Sequence, residues 1–355
     1  MVKRIRIENF KCFESLSVNE LGRLTLLGGQ NNVGKTAFLE ALFLFLTKLS
    51  DQRVLGQYAR RGLQRVDRRP EIAWAPIFHD YDLTKEVRIT LEYDGHAEDL
   101  CVRLVKDFAP PALPGKTDDT TKGVPTSAAP TTSDALEFEE SEGRKWYLSI
   151  DRHDGTIHMT VAGVFHEITP VAFVGTRSHP VEGDAHTFGE LDRLGESKQV
   201  VDFLRTIEKD LESLSIIPLA GEPVIHAKLC RMPVKIPVVF MGEGMSRLLS
   251  IILAMVRSRD GIVMIDEIEN GIHHTVQALI WTAIATAAAK LPCQVFATTH
   301  SYEFLRHAQE ALAGGEYAND FRYIRLERNA KGGHVAKSYD IETVQTAVEM
   351  GLEVR

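Results

Sequence analysis

GQNNVGKT, residues 29–36, fits the spacing G-x-x-x-x-G-K-[ST]. It follows the short apolar run RLTLL (23–27) and opens KTAFLEALFLFLTKL (35–49), a stretch apolar almost all round and therefore a buried helix. A strand, a Gly-containing turn and a helix in that order form an anion site, because backbone N–H groups and the helix dipole converge on it. Gly29 and Gly34 permit the tight turn, and Gln30, Asn31, Asn32 and Val33 fill it. Lys35, Thr36 and Ala37 open the helix. Lys35 is expected to reach the β- and γ-phosphates of a nucleotide, and the Thr36 hydroxyl to ligate Mg²⁺.

Two later stretches complete a set. In GIVMIDEIENGIHH (261–274) an apolar strand delivers Asp266 and Glu267 at its C-terminal end. Adjacent acids there are costly unless they meet a cation or a partner, and the C-terminal edge of a parallel sheet is where ligands bind. Asp266 is the expected Mg²⁺ ligand and Glu267 the group that polarises an attacking water. Glu269 reads as structural or as a dimer contact. In CQVFATTHSYEF (293–304) the next strand ends at His300, beside the expected γ-phosphate, to which it can donate a hydrogen bond. His273 and His274 lack an HExxH pattern or a Cys partner and read as part of a dimer-facing loop.

The rest of the chain reads as ordinary globular protein: 355 residues, 44% hydrophobic and 25% charged. The formal charge of -8 does not indicate nucleic acid as a partner. A basic cluster at residues 53–69 is a solvated helix face or a DNA contact. No apolar run reaches a membrane span of about 20 residues, and the charged, alternating N-terminus shows no secretion signal. Four scattered cysteines, without a CxxC pair, fit a reduced cytoplasm.

Residues 2–28 read as two strands, and residues 87–107 and 145–173 as β with Asp-Gly hairpin turns. The Pro-, Thr- and acid-rich stretch 109–143 reads as a flexible surface insertion, with a partner tether as the alternative. Residues 186–220 read as a helical insertion without sustained heptads. From residue 224 onward strands and helices alternate, the pattern of a parallel α/β sheet, ending in a β-hairpin and a short helix. The expected fold is α/β: a mixed β-sheet core, an antiparallel β subdomain and a helical insertion in one domain, 1–355.

These stretches together resemble the ABC-type ATPase heads of the RecF, SMC and overcoming-lysogenisation-defect group. IRIENFKCFES (5–15) with LLGGQNNVGKT resembles the group's opening strands and P-loop, DEIENGIHH its carboxylate strand and D-loop, and TTHS its switch histidine. MGEGMSRLLSIILAM (241–255) stands where the group carries its signature; Gly242, Gly244 and Arg247 match SxGxxR, with Gly242 in place of Ser. The family's Q-loop glutamine has three candidates, Gln52, Gln57 and Gln64.

The resemblance implies ATP and Mg²⁺ as cofactors and an ATP sandwich between two copies, or a higher oligomer. It is closest to compact single-head ATPases of anti-phage and toxin–antitoxin operons. A TOPRIM nuclease domain needs about 100 residues and a DxD pair; about 55 residues follow His300, without DxD. A nuclease or toxin activity is therefore expected from a separate effector chain. Three functions remain open at this point: an ATP-hydrolysing switch, a scaffold that binds ATP with negligible turnover, and a RecF-like DNA repair ATPase.

Overall fold

The computed structural model describes residues 1–48, 74–108, 133–153, 156–163, 169–176 and 181–351. The chain opens with β1 (Arg4–Phe10) and β2 (Phe13–Val18), an antiparallel pair, before β3 (Leu24–Gly29) and the helix α1 (Lys35–Thr47). Residues 2–28 thus hold three strands where the pattern suggested two. FESLSV carries only a weak alternation, with Phe13, Leu16 and Val18 pointing inward.

β4 (Val87–Glu92), β5 (Ala97–Phe108), β6 (Ser133–Glu140), β7 (Lys145–His153) and β8 (Thr156–Gly163) extend this pair into a seven-stranded antiparallel sheet, ordered β2-β1-β4-β5-β6-β7-β8. The expected insertion 109–143 needs correction at its end, because residues 133–140 are an interior strand of this sheet. Its earlier part, 109–132, and the glutamines and basic cluster of 52–69 lie outside the described residues.

β9 (Val171–Val174) leads to α2 (Val181–Arg193) and α3 (Ser197–Leu204). The helical reading of 186–220 stops there. Residues 211–219 form β10 (Leu211–Leu219), which pairs with β11 (Glu222–Leu229) through a turn with positive φ at Ala220 and Gly221. β12 (Ile236–Pro237) completes this three-stranded sheet. Leu211 and Leu214 are spaced for a helix face, but pairing with β11 decides the backbone.

The signature helix α4 (Glu243–Arg257), β13 (Ile262–Ile265), α5 (His274–Lys290), β14 (Gln294–Thr298) and α6 (Tyr302–Leu312) then alternate, followed by the hairpin β15 (Phe321–Arg328) and β16 (His334–Tyr339) and by α7 (Ile341–Glu349). The central sheet runs β16-β15-β3-β14-β13-β9, parallel except for β16.

Its inner strands β3, β13 and β14 are buried on both faces. On β13, Ile262 and Met264 face the core shared with α1 and the antiparallel sheet, while Val263 and Ile265 face the helices α2 to α6. Helix α1 lies between the two large sheets, with Phe38, Leu39, Leu42, Phe43, Phe45 and Leu46 buried. At roughly 1.5–3 kcal/mol per buried large side chain, this burial holds the helix N-terminus firmly against the C-terminal ends of β3, β13 and β14. The fold is the mixed α/β architecture the sequence implied.

Candidate active site

Three strand ends meet at one cleft. The P-loop turns from β3 into α1 with Gly29 at φ 129°, Asn32 at φ 59° and Gly34 at φ 100°. A Cβ on Gly34 would lie 2.5 Å from Phe13 Cζ and 2.8 Å from Cys12 Sγ, so both backbone conformation and space require glycine. Lys35 is buried, its ammonium donating to the carbonyls of Gly29 (2.8 Å) and Gln30 (2.9 Å). That folds the lysine over the loop its charge serves.

Asp266 and Glu267 follow β13. The Thr36 hydroxyl lies 3.2 Å from both Asp266 carboxylate oxygens, and the buried Thr298 hydroxyl donates to Asp266 Oδ1 at 2.6 Å. Burial pushes the Asp266 carboxyl above the usual range. Bonds from Thr298 and Thr36 oppose this, while the neighbouring charges of Glu267 and Glu40 add to it. Glu267 takes φ 47°, a conformation rare for a side-chain-bearing residue, and donates its N–H to Thr298 Oγ1 at 2.8 Å. Asn270 Nδ2 donates to Glu267 Oε2 at 2.6 Å, leaving Oε1 3.5 Å from His300 Nε2.

The cleft has a volume of about 1010 Å³ and is lined by Asn31, Asn32, Gly34, Lys35, Thr36, Ala37, Asp266, Glu267 and His300. Gly29, Gln30 and Val33 of the expected set do not line it. Gln30 and Val33 line a neighbouring cleft against β15, and Gly29 lines a small pocket together with His300. Gly242, Gly244 and Arg247 also lie outside it. The Arg247 side chain is buried and donates to the carbonyls of Gly175 (2.6 Å), Asp266 (2.9 Å) and Glu267 (3.3 Å), so within one copy it braces backbone and touches no ligand position. Gly242 caps α4 at φ 108° with open space around its Cα.

The structure adds Lys11 and Glu40, which the sequence did not single out, and gives Glu269 and Asn31 partners the sequence did not show. Lys11, in the β1–β2 turn, pairs with the buried Glu40 of α1 at 2.5 Å on the cleft wall. Glu269 Oε1 accepts the His300 backbone N–H at 2.6 Å, and Asn31 Oδ1 lies 2.7 Å from His300 Nδ1. Glu269 carried a signal as a third acid after the strand, and Asn31 as part of the Gly-rich loop. His273 caps α5, its ring 3.0 Å from the Thr275 hydroxyl.

The comparisons with known proteins bear on the fold and on the reaction. Residues 1–161 match the family model of an AAA ATPase domain. Residues 158–306 match that of an AAA domain described as putative AbiEii toxin, type IV TA system. An ATP/GTP phosphatase of Helicobacter pylori is 21% identical over 355 residues, covering 93% of each chain. The SMC head crystallised with the C-winged helix domain of ScpA covers 97% of this chain and 99% of its own, at 12% identity and a TM-score of 0.52. An SMC head with extended coiled coil, derived from Pyrococcus furiosus and bound to the C-terminal domain of ScpA, covers 98% of both chains at 10% identity and a TM-score of 0.50. At these identities the SMC structures speak for fold, and the two family models with the phosphatase relative speak for the reaction. The chain is an ATP-hydrolysing P-loop ATPase, similar to AAA ATPase domains over residues 1–161 and 158–306, on a fold like that of SMC heads.

Proposed function

We propose that this ATPase is a nucleotide-driven dimeric switch, the ATPase subunit of a cytoplasmic anti-phage defence or toxin–antitoxin system whose effector, a nuclease or toxin, is a separate chain. The observation that carries the switch is a division of the site. Lys35, Thr36, Asp266, Glu267 and His300 share one cleft, whereas the signature glycines lie outside it with Gly242 open. A signature that does not reach its own cleft serves a nucleotide only on a second copy. The AbiEii-type description of the model matched by residues 158–306 supports the defence setting.

In this reading ATP lies along the P-loop with its phosphates at Lys35 and the α1 N-terminus. Thr36 and Asp266 would hold Mg²⁺: a hydroxyl and a buried carboxylate whose charge is penalised by burial form a hard-oxygen set suited to it. The ion would neutralise charge on the phosphate oxygens. Glu267 and His300 face the terminal phosphate and the water that attacks it. The Gly242 position offers the partner's nucleotide backbone only, having no hydroxyl.

The test is mass measurement by light scattering with ATP and with ADP, on wild type and Glu267→Gln. Doubling of mass with ATP, reversed in ADP and persistent in the variant, is the expected result. A monomer under every nucleotide condition would refute the switch.

A further inference from the structure

His300 stands where two regular elements part. Before it, the Thr299 N–H donates to the carbonyl of Leu27 at 2.9 Å, continuing the pairing of β14 with β3. After it, Ser301 caps α6, its hydroxyl accepting the Phe304 N–H at 3.1 Å. No strand or helix carbonyl among the described residues takes the His300 N–H; Glu269 Oε1 takes it, at 2.6 Å. An amide N–H donates whatever protons the ring carries, so this bond sets where the ring begins at any ring charge.

The acceptor belongs to the segment that carries the acids. The Glu267 N–H donates to Thr298 Oγ1 at 2.8 Å and the Ile268 N–H to the Thr298 carbonyl at 3.0 Å. With the Glu269 bond, residues 267–269 are fastened to residues 298–300 at successive points. The first two end on Thr298; the third alone reaches the His300 main chain, and a side chain makes it. That side chain has a firm root. Ile268 beside it is fully buried, and the Glu269 carbonyl accepts the Ile272 N–H at 3.0 Å. Its other carboxylate oxygen is buried with no hydrogen-bond partner among the described residues. An acceptor left so is costly, and the bond to His300 is what this placement secures.

The ring that hangs from this amide has little latitude. Nδ1 lies 2.7 Å from Asn31 Oδ1 and Nε2 3.5 Å from Glu267 Oε1. A shift of about one ångström takes it out of hydrogen-bond reach of one or the other. We propose that Glu269 is a positioning residue: by holding the His300 amide it places the ring between the P-loop and Glu267. The assignment rests on the reading of this cleft as the hydrolytic site, and sharpens it. Glu269 touches neither nucleotide nor water in this role and acts through His300. What counts is its acceptor and its reach rather than its charge.

The experiment uses the full chain with ATP and Mg²⁺ and varies this one side chain. Glu269→Ala removes the acceptor. Glu269→Asp keeps the charge but draws the acceptor back by one methylene, and Glu269→Gln keeps acceptor and reach without the charge. Glu269→Ala and Glu269→Asp are expected to lower kcat roughly 10- to 100-fold with affinity for a fluorescent ATP analogue retained. Glu269→Gln should recover most of the rate. Combined with His300→Ala, Glu269→Ala should cost nothing beyond the histidine change alone. If Glu269→Ala does not fold, as read by circular dichroism, the contrast of Glu269→Gln with Glu269→Asp carries the same decision. A Glu269→Gln variant as slow as Glu269→Asp overturns the proposal, as does a Glu269→Ala variant of wild-type rate. So do losses that multiply in the double variant, or a loss of ATP affinity that accounts for the fall in rate. If His300→Ala alone turns over normally, the reading of the cleft around His300 fails first, an outcome seen without touching Glu269.

Discussion

Thr298 is the residue on which the two acids turn, and Thr298→Val isolates its contribution. The side chain is fully buried at the end of β14, and valine keeps its shape while replacing the hydroxyl with a methyl. Two bonds go. The hydroxyl donates to the Asp266 carboxylate at 2.6 Å, a charge-assisted bond of about 1.5–3 kcal/mol. It also accepts the Glu267 N–H at 2.8 Å, whose loss leaves a donor unsatisfied at about 1–3 kcal/mol. The two share one oxygen and do not add fully, so a destabilisation of about 3 kcal/mol is expected. At about 2 °C per kcal/mol for a large domain, the melting temperature should fall by about 6 °C. The Glu267 conformation at φ 47° loses a support and the Asp266 carboxylate is free to rotate, so kcat should fall roughly 100-fold. Thermal unfolding by circular dichroism and steady-state hydrolysis read the two effects. An unchanged melting temperature with unchanged kcat would refute the view that this hydroxyl organises the acids.

Asp266→Asn separates function from stability. Burial, the largest cause, raises the Asp266 carboxyl above its unfolded value, so the folded state holds its proton more tightly. Stability is therefore lost as pH rises from the unfolded pKa through the raised folded one. Asparagine should raise the melting temperature of the nucleotide-free protein near pH 7, with the gain vanishing below about pH 4, and abolish Mg²⁺-dependent hydrolysis; a lower melting temperature at pH 7 would contradict this. Glu267→Gln should slow hydrolysis roughly 100-fold or more while ATP stays bound, measured by single-turnover kinetics and nucleotide retention. Gly34→Ala should cost about 2 kcal/mol or more through its φ of 100° and the clash with Phe13, and should remove ATP binding in isothermal titration.

What was legible in the sequence is what is chemically local. The P-loop needs glycines, a lysine and a hydroxyl within eight residues, and each doubly buried strand of the central sheet shows as its own apolar run. Pairing at long range was not legible. β6 (SDALEFEE) looked like solvated acid, yet Ala135, Leu136 and Phe138 are buried and Glu137 is matched by Arg103 at 2.8 Å and Lys145 at 3.3 Å. The neutralising cations come from the neighbouring strands β5 and β7, where a composition window cannot see them. β10 failed for a related reason. Short runs such as LESLSII fit a helix face as well as a strand, and its partner across the Ala220–Gly221 turn decides.

The signature segment shows a harder limit, because spacing names its residues but not their direction. Resemblance placed Gly242, Gly244 and Arg247 together at a nucleotide. In the fold they part company within two turns: Gly242 is open, whereas Arg247 is buried and donates to the carbonyls of Gly175, Asp266 and Glu267. The consequence is mechanical. Separating α4 from the acids would strand a guanidinium already desolvated by its surroundings, and each hydrogen bond to a charged group contributes about 1.5–3 kcal/mol. The start of α4, the end of β9 and the two acids therefore move as one piece. If the proposed second copy engages Gly242, the load passes through Arg247 to the backbone that carries Glu267 in the same copy. A segment that looks detached from its own cleft is thus tied to the backbone of Asp266 and Glu267 by a single buried side chain.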